Sequence, residues 1–167
     1  MNRKVQEAST LFQSALLQEK YQDPEGAART YQRVLQLDPR NKLAWYNLGV
    51  IAQRDGRTAD ARESYDKALK IDPKYASALY NEAILLKSSD TDRAVELLKR
   101  AIAATPRAST AHLQLGWILA QKHRADEAEN EFRRAVAADP SLLSQVPEQF
   151  RDNVSPTPNS SQAGATG

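Results

Sequence analysis

The chain has 167 residues, enough for one ordinary domain, and 41% hydrophobic with 26% charged residues suits a folded globular chain rather than a disordered one. A formal net charge of only +2, spread over interspersed Lys, Arg, Asp and Glu, argues against a nucleic-acid track. With no cysteine there is no disulfide, thiol nucleophile or Cys-ligated zinc, and no run of about 18 apolar residues is present to span a bilayer.

In chain order, the most informative stretch is Lys42 to Tyr75, which carries Trp45, Leu48, Gly49, Ala61, Tyr65, Ala68 and Pro73. The same offsets recur on either side. Four prolines, Pro39, Pro73, Pro106 and Pro140, are separated by 34, 33 and 34 residues, which sets copies beginning near Ala8, Lys42, Ala76 and Ser109. Counting each copy from its first residue, position 8 reads Ala15, Gly49, Ala83, Gly116, and position 20 reads Ala27, Ala61, Ala94, Ala128. Position 27 reads Val34, Ala68, Ala101, Ala135, and position 24 reads Tyr31, Tyr65, Leu98, Phe132. Small residues thus recur where two helices touch backbone to backbone, with one large residue beside them. The third copy is one residue short, in the turn between Leu86 and Ala94.

Each copy predicts two helices. The first carries an apolar face at positions 4, 7, 8 and 11, spaced as a helix requires; in copy two these are Trp45, Leu48, Gly49 and Ala52. Asp55-Gly56 ends that helix and Thr58 is expected to cap the next. Asp23-Pro24 serves copy one as cap and first-turn proline, and Asp90 or Thr91 serves copy three. The copy-ending proline stops each second helix and forces an extended residue before it. Residues 1–7 extend the first helix backwards, with no apolar stretch of a signal peptide behind Met1. Position 7 should be apolar, so Glu82 is a departure, expected to pair with an arginine or face solvent. Copy four places His112 in the tryptophan column, as a packed core residue, and His123-Arg124 at a turn where glycine is common. Beyond Pro140, Leu142, Leu143, Val146 and Phe150 suggest a partial cap over 142–150, and 151–167 a disordered tail rich in Ser, Pro, Thr and Gly.

The Trp-x-x-Leu-Gly opening, the Ala, aromatic and Ala columns and the closing Pro resemble the tetratricopeptide repeat. The resemblance implies an all-α, right-handed superhelical solenoid of four tandem helix-turn-helix repeats, about 8–41, 42–75, 76–108 and 109–142, within a domain over 1–150. It implies a non-catalytic protein-interaction module, with a peptide or protein partner and no cofactor. The residues agree: there is no phosphate-binding glycine loop and no Gly-x-Ser-x-Gly. The two histidines are eleven apart, not at the spacing of a helical zinc site, so no catalytic residue and no metal ligand is assigned.

In proteins of this family the first helices line the inner wall of the solenoid, through positions 2, 5, 6, 9, 12 and 13. Here position 5 reads Phe12, Tyr46, Tyr80, Leu113; position 6 reads Gln13, Asn47, Asn81, Gln114; position 9 reads Leu16, Val50, Ile84, Trp117. Lys87 adds a mildly basic edge. Some arrays of this family, including that of the O-linked N-acetylglucosamine transferases, hold an extended peptide backbone with asparagines at position 6. Asn47 and Asn81 match residue for residue; Gln13 and Gln114 match in chemistry. An amide can donate and accept, so it pairs with a peptide unit in either sense. The family's charged clamp for chaperone C-termini needs lysine at position 5, where this chain has Phe or Tyr. Two alternatives stay open: self-association into a homo-oligomer through Leu142, Leu143 and Val146, and the soluble part of a membrane-anchored assembly factor instead of a cytoplasmic adaptor.

Overall fold

The computed structural model describes residues 2–156, and every regular element among them is helical. The helices are α1 (Arg3–Lys20), α2 (Pro24–Leu37), α3 (Lys42–Arg54), α4 (Thr58–Ile71), α5 (Ala76–Leu86), α6 (Thr91–Ala104), α7 (Ser109–Gln121), α8 (Ala125–Ala138), a 3-10 helix (Pro140–Gln145) and α9 (Glu148–Val154). The expected domain over 1–150 divides into two compact units, Met1–Ala104 and Thr105–Gly167. In the first, α1 pairs with α2, α3 with α4 and α5 with α6, while α2 meets α3 and α4 meets α5. In the second, α7 pairs with α8, which also carries the 3-10 helix and α9.

The turns inside three repeats share one geometry. Gln22, Gly56 and His123 hold φ of 61°, 71° and 59°, the left-handed region that glycine enters most easily. Next to them the N–H groups of Asp23, Arg57 and Arg124 donate to carbonyls five residues back, at 2.8, 2.9 and 2.9 Å, as in a Schellman cap. The third repeat lacks the residue that would take this conformation. Its turn closes instead with the Asp90 N–H donating to the Leu86 carbonyl at 2.8 Å, so the deletion costs no helical turn. Asp23 caps α2 through Gly26 N–H (2.9 Å), and Asp90 accepts from Arg93 N–H (3.3 Å). Thr58 is not a cap: α4 begins on it, Arg57 occupies the cap position, and no side chain bonds there.

The prolines end the second helices as expected, with Asp38 leaving helical geometry before Pro39 and Asp72 and Asp139 extended before Pro73 and Pro140. The carbonyls of Pro39, Pro73 and Pro106 are met by three different residues. Trp45 Nε1 donates to Pro39 O at 3.0 Å, Arg100 Nη2 to Pro73 O at 3.1 Å, and His112 Nε2 lies 2.8 Å from Pro106 O. His112 is buried, and its Nδ1 sits 2.6 Å from Glu131, so this histidine stands in for the tryptophan of the second repeat as donor and filler.

The small columns are buried throughout, and two of them are glycine for a measurable reason. A Cβ on Gly49 would stand 2.6 Å from Tyr65 Cε1, and one on Gly116 would stand 2.6 Å from Phe132 Cε1. The ring at position 24 therefore lies directly on the backbone of the first helix. Ala15 holds the same position beside Tyr31, and Ala83 stands in the copy where the ring is replaced by Leu98.

Glu82 corrects the expectation made for it. It neither pairs with an arginine nor reaches solvent: it is 0% exposed, and among the described residues its carboxyl oxygens have no hydrogen-bond donor. Burial, and then the neighbouring Asp66 carboxyl, push its pKa up to about 8, against the opposing pull of Arg93 and Arg62.

The C-terminal cap also differs from expectation. Leu142 and Val146 are buried, so they offer no open apolar end for self-association. After Pro147 the chain resumes as α9, with the Phe150 ring tilted against Phe132 at 5.2 Å and Val154 buried. The expected boundary at 150 falls inside this helix, and the remainder of the expected tail, 157–167, lies outside the described residues.

Replacing His123 by glycine relieves the left-handed backbone and should raise stability by about 0.5–1 kcal/mol, read as a higher urea midpoint with an unchanged slope. Because the folded pKa of Glu82 lies above its unfolded value, its contribution is complete below about pH 4.5 and is lost as pH rises to about 8. Glu82→Leu, which restores the residue found at that position in the second and fourth repeats, should abolish this slope. It should raise stability at pH 8 by on the order of 3 kcal/mol, measured by denaturant titrations across pH.

Candidate functional site

In the unit Met1–Ala104, the expected lining residues come from the first helices α1, α3 and α5, whose opposite stripes are consumed by packing. Phe12, Tyr46, Asn47, Val50, Tyr80, Asn81 and Ile84 are half-buried, while Gln13, Leu16 and Lys87 are exposed. Half-burial is what a lining residue needs, since its stem is held while its tip remains accessible.

Two hydrogen bonds tie these residues together. Asn81 Nδ2, on α5, donates to the Tyr46 hydroxyl on α3 at 3.0 Å. Asn47 Nδ2, on α3, donates at 3.0 Å to the hydroxyl of Tyr31, a buried residue of α2. Tyr31 also faces Phe12 of α1, with ring centroids 5.6 Å apart, so one phenol joins the lining of the first repeat to that of the second. Its own proton goes to the Glu19 carboxylate, which accepts it in a short hydrogen bond. Burial, then this bond, raise the Tyr31 phenol well above the ordinary tyrosine range. In the next repeat, at the same two positions, Tyr65 donates to Gln53 Oε1 at 2.6 Å, and its phenol is raised as well, chiefly by burial.

Tyr46 is more than a lining residue. Its ring lies 5.2 Å from Tyr75 and 6.1 Å from Tyr65, and Lys42 Nζ sits 5.1 Å from the centre of the Tyr75 ring. Burial beside Tyr46 and Asp72 pushes the Tyr75 phenol up to about 12. Sequence reasoning found Tyr46 through its column but missed Tyr31, Glu19 and Tyr75. The signal for the first two was available, since positions 12 and 24 recur as a hydrogen-bonding pair in copies one and two.

A concavity of about 490 Å³ lies in the same unit, between α2, α3 and α4. Its floor is Leu35, Trp45, Leu48 and Ala52, and Asp60 and Glu63 stand at its lining. None of the lining columns reaches it.

In the unit Thr105–Gly167, the same three positions of α7 behave differently. Leu113 is buried at 3% exposure, which withdraws it from any accessible surface, and Gln114 is half-buried. Trp117 is 39% exposed but committed: its Nε1 donates to Gln145 O at 3.0 Å, and its ring meets Phe132 edge-on at 6.3 Å. It anchors the 3-10 helix of the cap. Among the described residues no group of three or more His, Cys, Asp or Glu could hold a metal ion, and no helix is long and apolar enough to cross a membrane.

A family model of the tetratricopeptide repeat matches residues 12–76 and 84–142, well over half of the chain. No curated protein matches the chain. Among solved structures, MamA (41-end) from Desulfovibrio magneticus RS-1 is 21% identical with a TM-score of 0.73, over 92% of this chain and 90% of that one. YrrB, described as a TPR protein with an unusual peptide-binding site, is 24% identical with a TM-score of 0.71, over 80% and 70%. PilW, a type IV pilus biogenesis factor, is 27% identical with a TM-score of 0.69, over 86% and 66%.

If Trp117 holds the cap, Trp117→Ala should cost about 2 kcal/mol of stability and speed amide exchange in α9. A residue serving a ligand alone would leave both unchanged. Denaturant titration with hydrogen-exchange mass spectrometry reads both quantities.

Proposed function

Because this chain belongs to the tetratricopeptide repeat family, whose members are generally non-catalytic protein-interaction modules, we propose that it is an adaptor that takes a partner's peptide segment on the α1, α3 and α5 lining. The observation that carries the reading is the Asn47 and Asn81 pair. Both amides sit at the family's backbone-holding position, half-buried, each anchored by one N–H to a tyrosine hydroxyl, with the amide oxygen unbonded among the described residues. Phe12, Tyr46, Val50, Tyr80 and Ile84 supply apolar neighbours for side chains, and Gln13, Leu16 and Lys87 the exposed rim. Main-chain bonds then give affinity and the pockets give selectivity. Leu113, Gln114 and Trp117 belong to the unit Thr105–Gly167 and take no part in this reading.

The adaptor works without cofactor, metal or nucleic acid, and in the cytoplasm. A protein with a described peptide-binding site, YrrB, is among the similar structures, which supports a peptide as the partner's form. Affinity should be micromolar in order, because an extended ligand gives up much freedom on a short surface.

Peptides selected from a random display library on the full chain provide the probe. Measured by fluorescence anisotropy, Asn47→Ala and Tyr80→Ala should each weaken binding by about ten-fold or more, with an unchanged helical signal. Selected peptides indifferent to both changes would place the binding surface elsewhere, with the concavity over Trp45 and Leu48 the next to test.

A further inference from the structure

The Asn47 amide is not free to turn, and the reason lies on a residue remote from it in sequence. A carboxylate can only accept hydrogen bonds, so the proton between Tyr31 and Glu19 belongs to the phenol and points at Glu19. That leaves only lone pairs of the Tyr31 oxygen for Asn47, 3.0 Å away. Asn47 must therefore bring its NH2, not its carbonyl, to this contact. Its Oδ1 is left on the other side of the amide, without a hydrogen bond among the described residues.

Resting on the peptide-binding reading above, we propose that Glu19, acting through Tyr31, fixes the Asn47 amide so that it presents an acceptor to the ligand. The second repeat then takes a backbone N–H of the bound peptide, and does not serve its carbonyls equally. Glu19 and Tyr31 are positioning residues: neither needs to touch the ligand.

The next repeat provides an internal contrast. Tyr65 donates to Gln53, at the same offset of twelve residues, but Gln53 is an amide and can either accept or donate. No charge dictates the proton's direction there. Asn81 donates to Tyr46 and also acts on the Tyr65 phenol, and neither hydroxyl bonds a carboxylate among the described residues. Asn81 keeps the option of turning, and Asn47 does not. Two asparagines that match in sequence position thus differ in chemistry: the first an acceptor, the second adaptable.

The test replaces single backbone amides of a library-selected peptide by esters, which removes one N–H at a time with little change in shape. In the wild-type chain one ester position should weaken binding by about ten-fold. In Glu19→Gln the new amide can donate to Tyr31, whose proton can then turn to Asn47. The same ester should then cost no more than about two-fold, with melting temperature and helical signal retained. Tyr31→Phe, which keeps the ring, should level the scan in the same way. A full ester penalty surviving in Glu19→Gln overturns the proposal, as does a wild-type scan flat at every position.

The peptide-binding reading fails by a different result, namely selected peptides indifferent to Asn47→Ala and Tyr80→Ala. A ligand-free measurement decides the positioning role by itself. The Asn47 side-chain amide proton facing Tyr31 should exchange slowly by NMR in the wild type and markedly faster in Tyr31→Phe. Equal rates overturn the proposal whatever any peptide does.

Discussion

The contact on which the structure rests is an aromatic ring pressed against a helix backbone at glycine. Tyr65 touches α3 at Gly49 and Phe132 touches α7 at Gly116, each at a distance that leaves no room for a methyl group. Two helices can approach this closely only where side chains are absent or nearly so, and the alanines at positions 20 and 27 extend the same rule along the second helix. Each repeat is therefore a tight pair before it meets a neighbour. The pair cannot cover both of its faces alone, which is why such units come in tandem.

Packing of this kind divides each first helix lengthwise. One stripe goes under the position-24 side chain and is lost to the solvent. The opposite stripe is left half-covered, supported from beneath by the phenol hydroxyls of the second helices. Tyr31 is the clearest instance: its ring fills the core, and its buried oxygen lies between Glu19 and Asn47. A core residue thus sets the chemistry of an accessible one. Burial of the ring keeps the phenol protonated, and a protonated phenol with one acceptor partner has a definite sense, which it passes to the amide beside it.

The two units use the repeat to different ends. In Met1–Ala104 the lining positions remain partly open. In Thr105–Gly167 the corresponding Leu113 is buried and Trp117 is bonded to the cap, so the last repeat turns lining positions into closure. Glu82 shows the converse economy failing: a carboxyl occupies a leucine position, finds no donor among the described residues, and stays neutral by holding its proton. Nothing in the structure shows a use for it.

What the sequence by itself determined was everything that repeats at a constant offset. Helix pairs, their turns, the small columns, the copy-ending prolines and the stripe carrying Tyr46, Asn47, Tyr80 and Asn81 were all legible, because helical spacing, caps and glycine or proline act within a few residues. Even the odd third turn was placed correctly, since a deletion is tolerated where no helix crosses it. What only the tertiary structure decided was how each side chain ends. That Glu82 is buried beside Asp66, that Leu113 is covered, that Trp117 reaches Gln145, and that α9 continues past Pro147 all depend on residues from another element with no fixed offset. The same holds for Asn47: its column marked it as a candidate for the lining, but the sense of its amide follows from a proton that Tyr31 gives to Glu19, and no periodicity in the chain records where a proton goes.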